Sequence, residues 1–230
     1  MAIRGLLFDK DGTLFDFRTT WSEWSVRFFT GICDGDLARA TEIAGQLGFD
    51  MATREFTPNS VIIAGTPAEV MAEMAAQLPE HSAEDLVTRI NQVTSTVPQQ
   101  APVPLVPLME GFRANGLTLG VATNDAEAPA RVQLADAGIT GYFDFIAGYD
   151  SGFGAKPGTG MQQGFCAATG LIPGEVAMVG DSTHDLISGR AAGMVTVAVL
   201  TGIADEKTLA PYADVVLPDI GALPAWLGQG

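Results

Sequence analysis

The run Ile3-Arg4-Gly5-Leu6-Leu7-Phe8 breaks off into Asp9-Lys10-Asp11-Gly12-Thr13-Leu14, and this junction constrains the fold more than any other stretch. A short, mostly apolar run of this kind forms a strand buried on both faces, as in a parallel sheet. In open α/β sheets, ligands bind where such strands end. Two carboxylates one residue apart at that place repel each other unless a cation or a shared proton relieves them. The chemistry that suits them is a carboxylate nucleophile, an acid/base partner and a divalent metal. A bare Asp-x-Asp-Gly is equally compatible with a strand running into a solvated turn.

Strands and helices alternate from Pro102 onward. The pattern predicts strands at Leu117–Thr123, Phe143–Ala147, Val176–Val179, Val195–Leu200 and Ala213–Leu217. Helices are expected at Pro107–Asn115, Ala126–Ala137, Gly160–Thr169 and Asp185–Ala192, and a short one at the C-terminus. Such alternation specifies an α/β, Rossmann-like parallel sheet. Between Phe15 and about Gln100 no buried-strand run stands out, and four helix signals appear instead. They are an aromatic cluster from Trp21 to Phe29, the segment Asp34–Leu47 stopped by Gly48, a Thr66-Pro67-Ala68-Glu69 capping box and a weaker start at Ser82. The expected organisation is a discontinuous core of residues 1–16 and 102–230 with an inserted helical domain of residues 17–101.

The net charge of −15 makes nucleic acid and anionic membrane unsuitable partners. No apolar run reaches spanning length. The N-terminus enters its first strand without a basic, apolar leader, and Cys33 and Cys166 have no metal-ligand spacing. A cytoplasmic location with free thiols is therefore expected. An anionic substrate needs local cations in so acidic a chain, and Lys10, Lys156 and Lys207 are its only lysines.

Three further stretches fall at predicted strand ends. Thr123 ends a strand and Asn124 follows it, where a hydroxyl and backbone amides hold phosphoryl oxygens. Taken alone, this piece reads better as a cap for the next helix. Lys156 lies between Ala155 and Pro157 in a glycine-rich loop, and a fixed ammonium there neutralises a phosphoryl group, although an isolated loop lysine usually points into water. Asp181 at a strand end suits Mg²⁺, which takes hard oxygen ligands and keeps several waters. Asp185 is placed to hold one of those waters, or to close a capping box with Ser182.

Asp-x-Asp-Gly-Thr-Leu, then Thr-Asn, then Lys-Pro, then Gly-Asp-Ser-x-x-Asp resembles the four-motif set of the haloacid dehalogenase superfamily, and the resemblance runs from Met1 to about Leu200. The helical insert is similar to that superfamily's cap domain. Within the superfamily, the chain is most similar to the phosphoglycolate phosphatase-like group. Two places depart from that group: Gly158-Thr159-Gly160 follows Lys156-Pro157 where a proline and an acid are usual, and Phe17 replaces a serine. Both bear on the leaving group, not on phosphatase chemistry.

The resemblance implies roles. Asp9 is the nucleophile that becomes an aspartyl-phosphate, and Asp11 is the acid/base. Asp9, Asp11 through its carbonyl, and Asp181 bind Mg²⁺, with Asp185 in support. Thr123, Asn124 and Lys156 bind the phosphoryl group of a small phosphomonoester. Arg18, Arg54, Asn59 and Ser60 are candidate cap or hinge contacts, although each reads better as ordinary surface. Among alternatives, a dehalogenase lacks the second aspartate and an ion pump needs membrane helices. A sugar-phosphate mutase usually has valine in place of Thr13. A silent phosphate-binding protein is expected to have lost a motif carboxylate, and none is lost here.

Overall fold

The computed structural model describes residues 2–57 and 60–228. The chain divides into two compact units, residues 1–17 with 99–230 and residues 18–98. In order, β1 (Gly5–Phe8) is followed by α1 (Phe17–Ile32), α2 (Leu37–Gln46), β2 (Phe49–Asp50), β3 (Glu55–Phe56), α3 (Val61–Ala64), α4 (Pro67–Gln77) and α5 (Ala83–Thr94). Then come α6 (Leu105–Ala114), β4 (Thr118–Ala122), α7 (Glu127–Asp136), β5 (Phe145–Ala147), α8 (Gly160–Thr169) and β6 (Val176–Gly180). The chain continues through α9 (Thr183–Ala191), β7 (Val195–Val199), α10 (Glu206–Leu209), β8 (Val215–Leu217) and α11 (Leu223–Leu227).

Among the described residues of the first unit, six parallel strands form one sheet in the order β5-β4-β1-β6-β7-β8. The sheet is buried on both faces, as the apolar run of β1 requires. Leu6 and Phe8 pack into one core with Met109 and Phe112 of α6, while Leu7 between them faces a second core with Phe165 of α8. The winding reverses at β1, whose neighbours β4 and β6 lead to opposite edges. Such a switch point opens a crevice at the strand ends. The register pairs Phe8 with both Val121 and Val179. Asp9, one residue past Phe8, and Thr123 and Asp181, two residues past its partners, therefore leave the sheet at the ends of three neighbouring strands.

The second unit is helical around Trp24, Phe28, Phe29, Ile43, Met74 and Leu86. Trp24 stacks on Phe28 with ring centroids 4.7 Å apart, and its indole N–H donates to Thr94 Oγ1 at 2.9 Å. The Thr66/Glu69 capping box starts α4 as its spacing predicts. Differences from the sequence expectation are local. The hairpin β2–β3 has no signature in the sequence, because two-residue strands show no alternation. Helix α6 begins at Leu105, with Pro107 in its first turn, where no intrahelical N–H bond is lost. Ser60 is a buried structural residue that donates to the Leu47 carbonyl at 2.9 Å. Arg54 pairs with Glu23 at 3.4 Å, Arg18 is exposed, and Asn59 lies outside the described residues. Cys33 and Cys166 are free thiols, and no described helix is long and apolar enough to cross a membrane.

Candidate active site

The loop after β1 is fixed by its own backbone. Leu14 and Phe15 N–H donate to the Lys10 carbonyl at 2.9 and 3.1 Å, and Gly12 N–H donates to the Phe15 carbonyl at 2.7 Å. Gly12 has φ +81°, and a Cβ there would stand 2.2 Å from Asp181 Oδ2, so only glycine fits this turn beside that carboxylate.

Asp9, Asp181 and Asp185 are buried, and each offers an oxygen within 4.8 Å of the other two. Lys156 reaches into this cluster from the loop after β5. Its Nζ donates to Asp9 Oδ1 and Asp185 Oδ1, both at 2.6 Å, and to the Ala122 carbonyl at 2.7 Å. Asn124 secures that loop: its amide donates to the Lys156 carbonyl at 3.0 Å, and its Oδ1 accepts the Lys156 N–H at 2.8 Å. The side-chain amide is thus engaged with the protein. Thr123 Oγ1 accepts the Asp125 N–H at 3.0 Å. Neither residue caps α7, whose N-cap is Ala126 without a side-chain bond.

Asp185 uses its two oxygens differently. Oδ2 closes the capping box with Ser182, accepting from its N–H at 3.0 Å and its hydroxyl at 2.7 Å, while Oδ1 meets Lys156. The capping and cluster readings of this residue are therefore compatible.

Electrostatically, the cluster carries more negative charge than one ammonium balances. Burial pushes the Asp9 carboxyl up to about 6 against the pull of Lys156, with Asp185 adding to the rise. Burial, with Asp9 and Asp185 beside it, holds Asp181 well above the usual carboxylate range. For Lys156, burial opposes the charge, but Asp185 and Asp9 override it and its pKa is raised. Three buried hard-oxygen donors with uncompensated charge fit a divalent cation such as Mg²⁺.

Asp11 stands beside this cluster on a second lysine. Its Oδ2 is 2.6 Å from Lys10 Nζ, which is also 3.0 Å from Asp125 Oδ2 and donates to Gln133 Oε1 at 2.6 Å. Burial pushes the Asp11 carboxyl up to about 7; Lys10 opposes the rise, and Asp125 and Asp9 add to it. Asp125 and Gln133 were not singled out from sequence. The available signal was Lys10 itself, one of three lysines and set between two aspartates.

Two more residues escaped the sequence reading. Thr201 donates its hydroxyl to the Gly12 carbonyl at 2.5 Å, and a Cβ at Gly202 would stand only 1.7 Å from Asp181 Oδ2. The loop after β7 therefore packs directly on the Asp181 carboxylate. Thr13 Oγ1 also donates to Asp181 Oδ1, at 3.3 Å.

The chain is similar to several known proteins. A phosphoglycolate phosphatase of Rhodospirillum rubrum is 31% identical over 121 residues, 53% of this chain and 50% of that protein. The chain spans about half the length of the first curated relatives it matches. A phosphoglycolate phosphatase of Yersinia pestis is 30% identical over 247 residues, covering 99% of this chain and 97% of that one. A Thermotoga maritima structure attributed to a beta-phosphoglucomutase has the same fold, with a TM-score of 0.69 at 19% identity over 99% of both chains. Residues 6–199 match the haloacid dehalogenase-like hydrolases as a family. The chain belongs to the haloacid dehalogenase-like hydrolase family.

Proposed function

We propose that the chain is a Mg²⁺-dependent phosphatase that hydrolyses a small phosphomonoester through an aspartyl-phosphate on Asp9. The observation that carries this reading is the convergence of Asp9, Asp181 and Asp185 within 4.8 Å, with Lys156 2.6 Å from Asp9. The phosphoglycolate phosphatases among its relatives support it. In this reading Asp9, the Asp11 carbonyl and Asp181 hold Mg²⁺, and Asp185 supports a bound water. When bound, Mg²⁺ supplies a Lewis acid beside the phosphoryl oxygens.

Asp9 attacks phosphorus as the bond to the alcohol oxygen breaks, and Asp11 gives its proton to that oxygen. Asp11 then takes a proton from a water that attacks the phosphoryl group, releasing inorganic phosphate and restoring Asp9. Lys156 and the Thr123 hydroxyl steady the phosphoryl oxygens, and Asn124 acts by holding Lys156. Phosphoryl transfer needs mainly positioning and charge neutralisation, which this set supplies. By the family resemblance, the inserted helical segment of residues 17–101 serves as the cap and selects the leaving group.

The test is phosphate release from a panel of phosphomonoesters, phosphoglycolate and glucose 1-phosphate included, with Mg²⁺ and with excess chelator. Release that needs Mg²⁺ is expected. Turnover unaffected by chelator overturns the metal role, and conversion of glucose 1-phosphate to the 6-phosphate with little free phosphate makes the chain a mutase.

A further inference from the structure

Lys10 is fully buried between the two motif aspartates, yet the chemistry above gives it no task. Lys10 is held by groups from three separate segments: its ammonium donates to Gln133 Oε1 on α7 and forms ion pairs with Asp11 and Asp125 in the loops after β1 and β4. All the contact to Asp11 falls on one oxygen, Oδ2. The other, Oδ1, is buried without a hydrogen-bond partner among the described residues. A buried carboxylate oxygen left unpaired is costly, and its presence calls for an explanation. A ligand atom that arrives during the reaction provides one.

We infer that Lys10, anchored by Asp125 and Gln133, is a positioning residue that pins Asp11 Oδ2 and so presents Asp11 Oδ1 to the oxygen of the leaving group. The inference rests on the reading of Asp11 as the acid. The terminal torsion of an aspartate is broad and roughly two-fold, so the carboxyl needs an outside partner to hold one orientation. Proton transfer requires the acid within hydrogen-bond reach of the departing oxygen. Supports locked by their own bonds keep such groups within roughly 0.5 Å of the productive place. Asp125 and Gln133 do this for Lys10, and Lys10 does it for Asp11.

The leaving group provides a readout that a structural role would not move. An alkoxide departs poorly without a proton, whereas p-nitrophenolate is stable without one. Lys10→Met, Asp125→Asn and Asp11→Asn are compared with the wild type by kcat/KM on a primary alkyl phosphate and on p-nitrophenyl phosphate. For Lys10→Met the expected loss on the alkyl ester is about 10²–10⁴-fold, the usual worth of acid–base catalysis, with a much smaller loss on the nitrophenyl ester. Asp125→Asn, which keeps Lys10 and the local volume, shows the same selectivity in weaker form and carries the test if Lys10→Met does not fold. Equal losses on both esters, or none, in the variants that fold overturn the role of Lys10 while the selective loss in Asp11→Asn stands. An Asp11→Asn variant without that selectivity overturns the acid role of Asp11 and the inference with it. A wild type inactive on both esters overturns the phosphatase reading itself.

Discussion

Lys156 Nζ lies 2.6 Å from Asp9 Oδ1 across 147 positions of sequence. The contact joins the end of β1 to the loop after β5, two strands apart in the sheet. It also places the proposed nucleophile against a cation that a phosphoryl group would share. Because both side chains are buried, neither has water to replace a lost partner.

Lys156→Met tests that dependence. Removing one partner of a buried pair typically costs about 3–5 kcal/mol, since the other charge stays behind uncompensated. Here two carboxylates, Asp9 and Asp185, lose their shared ammonium. The metal-free variant is expected to unfold at clearly lower urea than the wild type, and Mg²⁺ should restore part of the difference. An unchanged urea midpoint would show that the pair contributes nothing.

A pH dependence follows from the raised carboxyls. Asp9 moves from 3.8 to about 6 and Asp11 from 3.8 to about 7, burial being the chief cause in each. Both bind protons more tightly folded than unfolded. Their contribution to stability is therefore full below the unfolded value and is lost as pH rises through about 6 to 7. Metal binding requires the deprotonated form of a carboxyl ligand, here Asp9. The rise in Tm produced by Mg²⁺ should accordingly be larger at about pH 8 than at about pH 5. Equal rises at both values would count against the Asp9 carboxyl as a ligand of the metal.

What the sequence disclosed was whatever is written locally. The strand of β1 shows in a short, mostly apolar run, the start of α4 in a four-residue box, and the Asp9 and Asp181 positions in abrupt strand ends. What depends on distant chain meeting in space stayed hidden. Nothing near Gln133 marks it as the partner of a lysine 123 residues earlier. Ser60 looked like surface because its acceptor, the Leu47 carbonyl, is 13 residues away. Asp185 posed a choice between cap and cluster only because a sequence does not show that its two oxygens point to different partners.

Gly202 is another such residue, and its prediction is steric. A Cβ there would overlap Asp181 Oδ2 at 1.7 Å and crowd Asp181 Cβ at 2.6 Å. Gly202→Ala should therefore turn the Asp181 carboxylate and weaken Mg²⁺ binding, by roughly the 10–100-fold seen when a ligand's support is disturbed. Gly141→Ala, where a Cβ meets nothing within 4 Å, is the control. Mg²⁺ titration by calorimetry reads both, and equal affinities in the two variants would remove the loop after β7 from the site.

Asp185→Asn separates the two tasks that the aspartate combines. Asparagine is still short and polar and retains one oxygen, so it can cap α9 through Ser182 or face Lys156. The substitution nevertheless removes a negative charge from the cluster of Asp9, Asp181 and Asp185. If that charge helps to hold the metal, the Mg²⁺ requirement should rise by roughly 10–100-fold. Metal-free stability should fall by no more than a lost cap is worth, about 0.5–2 kcal/mol. The two effects are read separately, by Mg²⁺ titration of phosphate release and by thermal melting in chelator. A variant that melts earlier yet keeps the wild-type titration would leave Asp185 with the capping role alone.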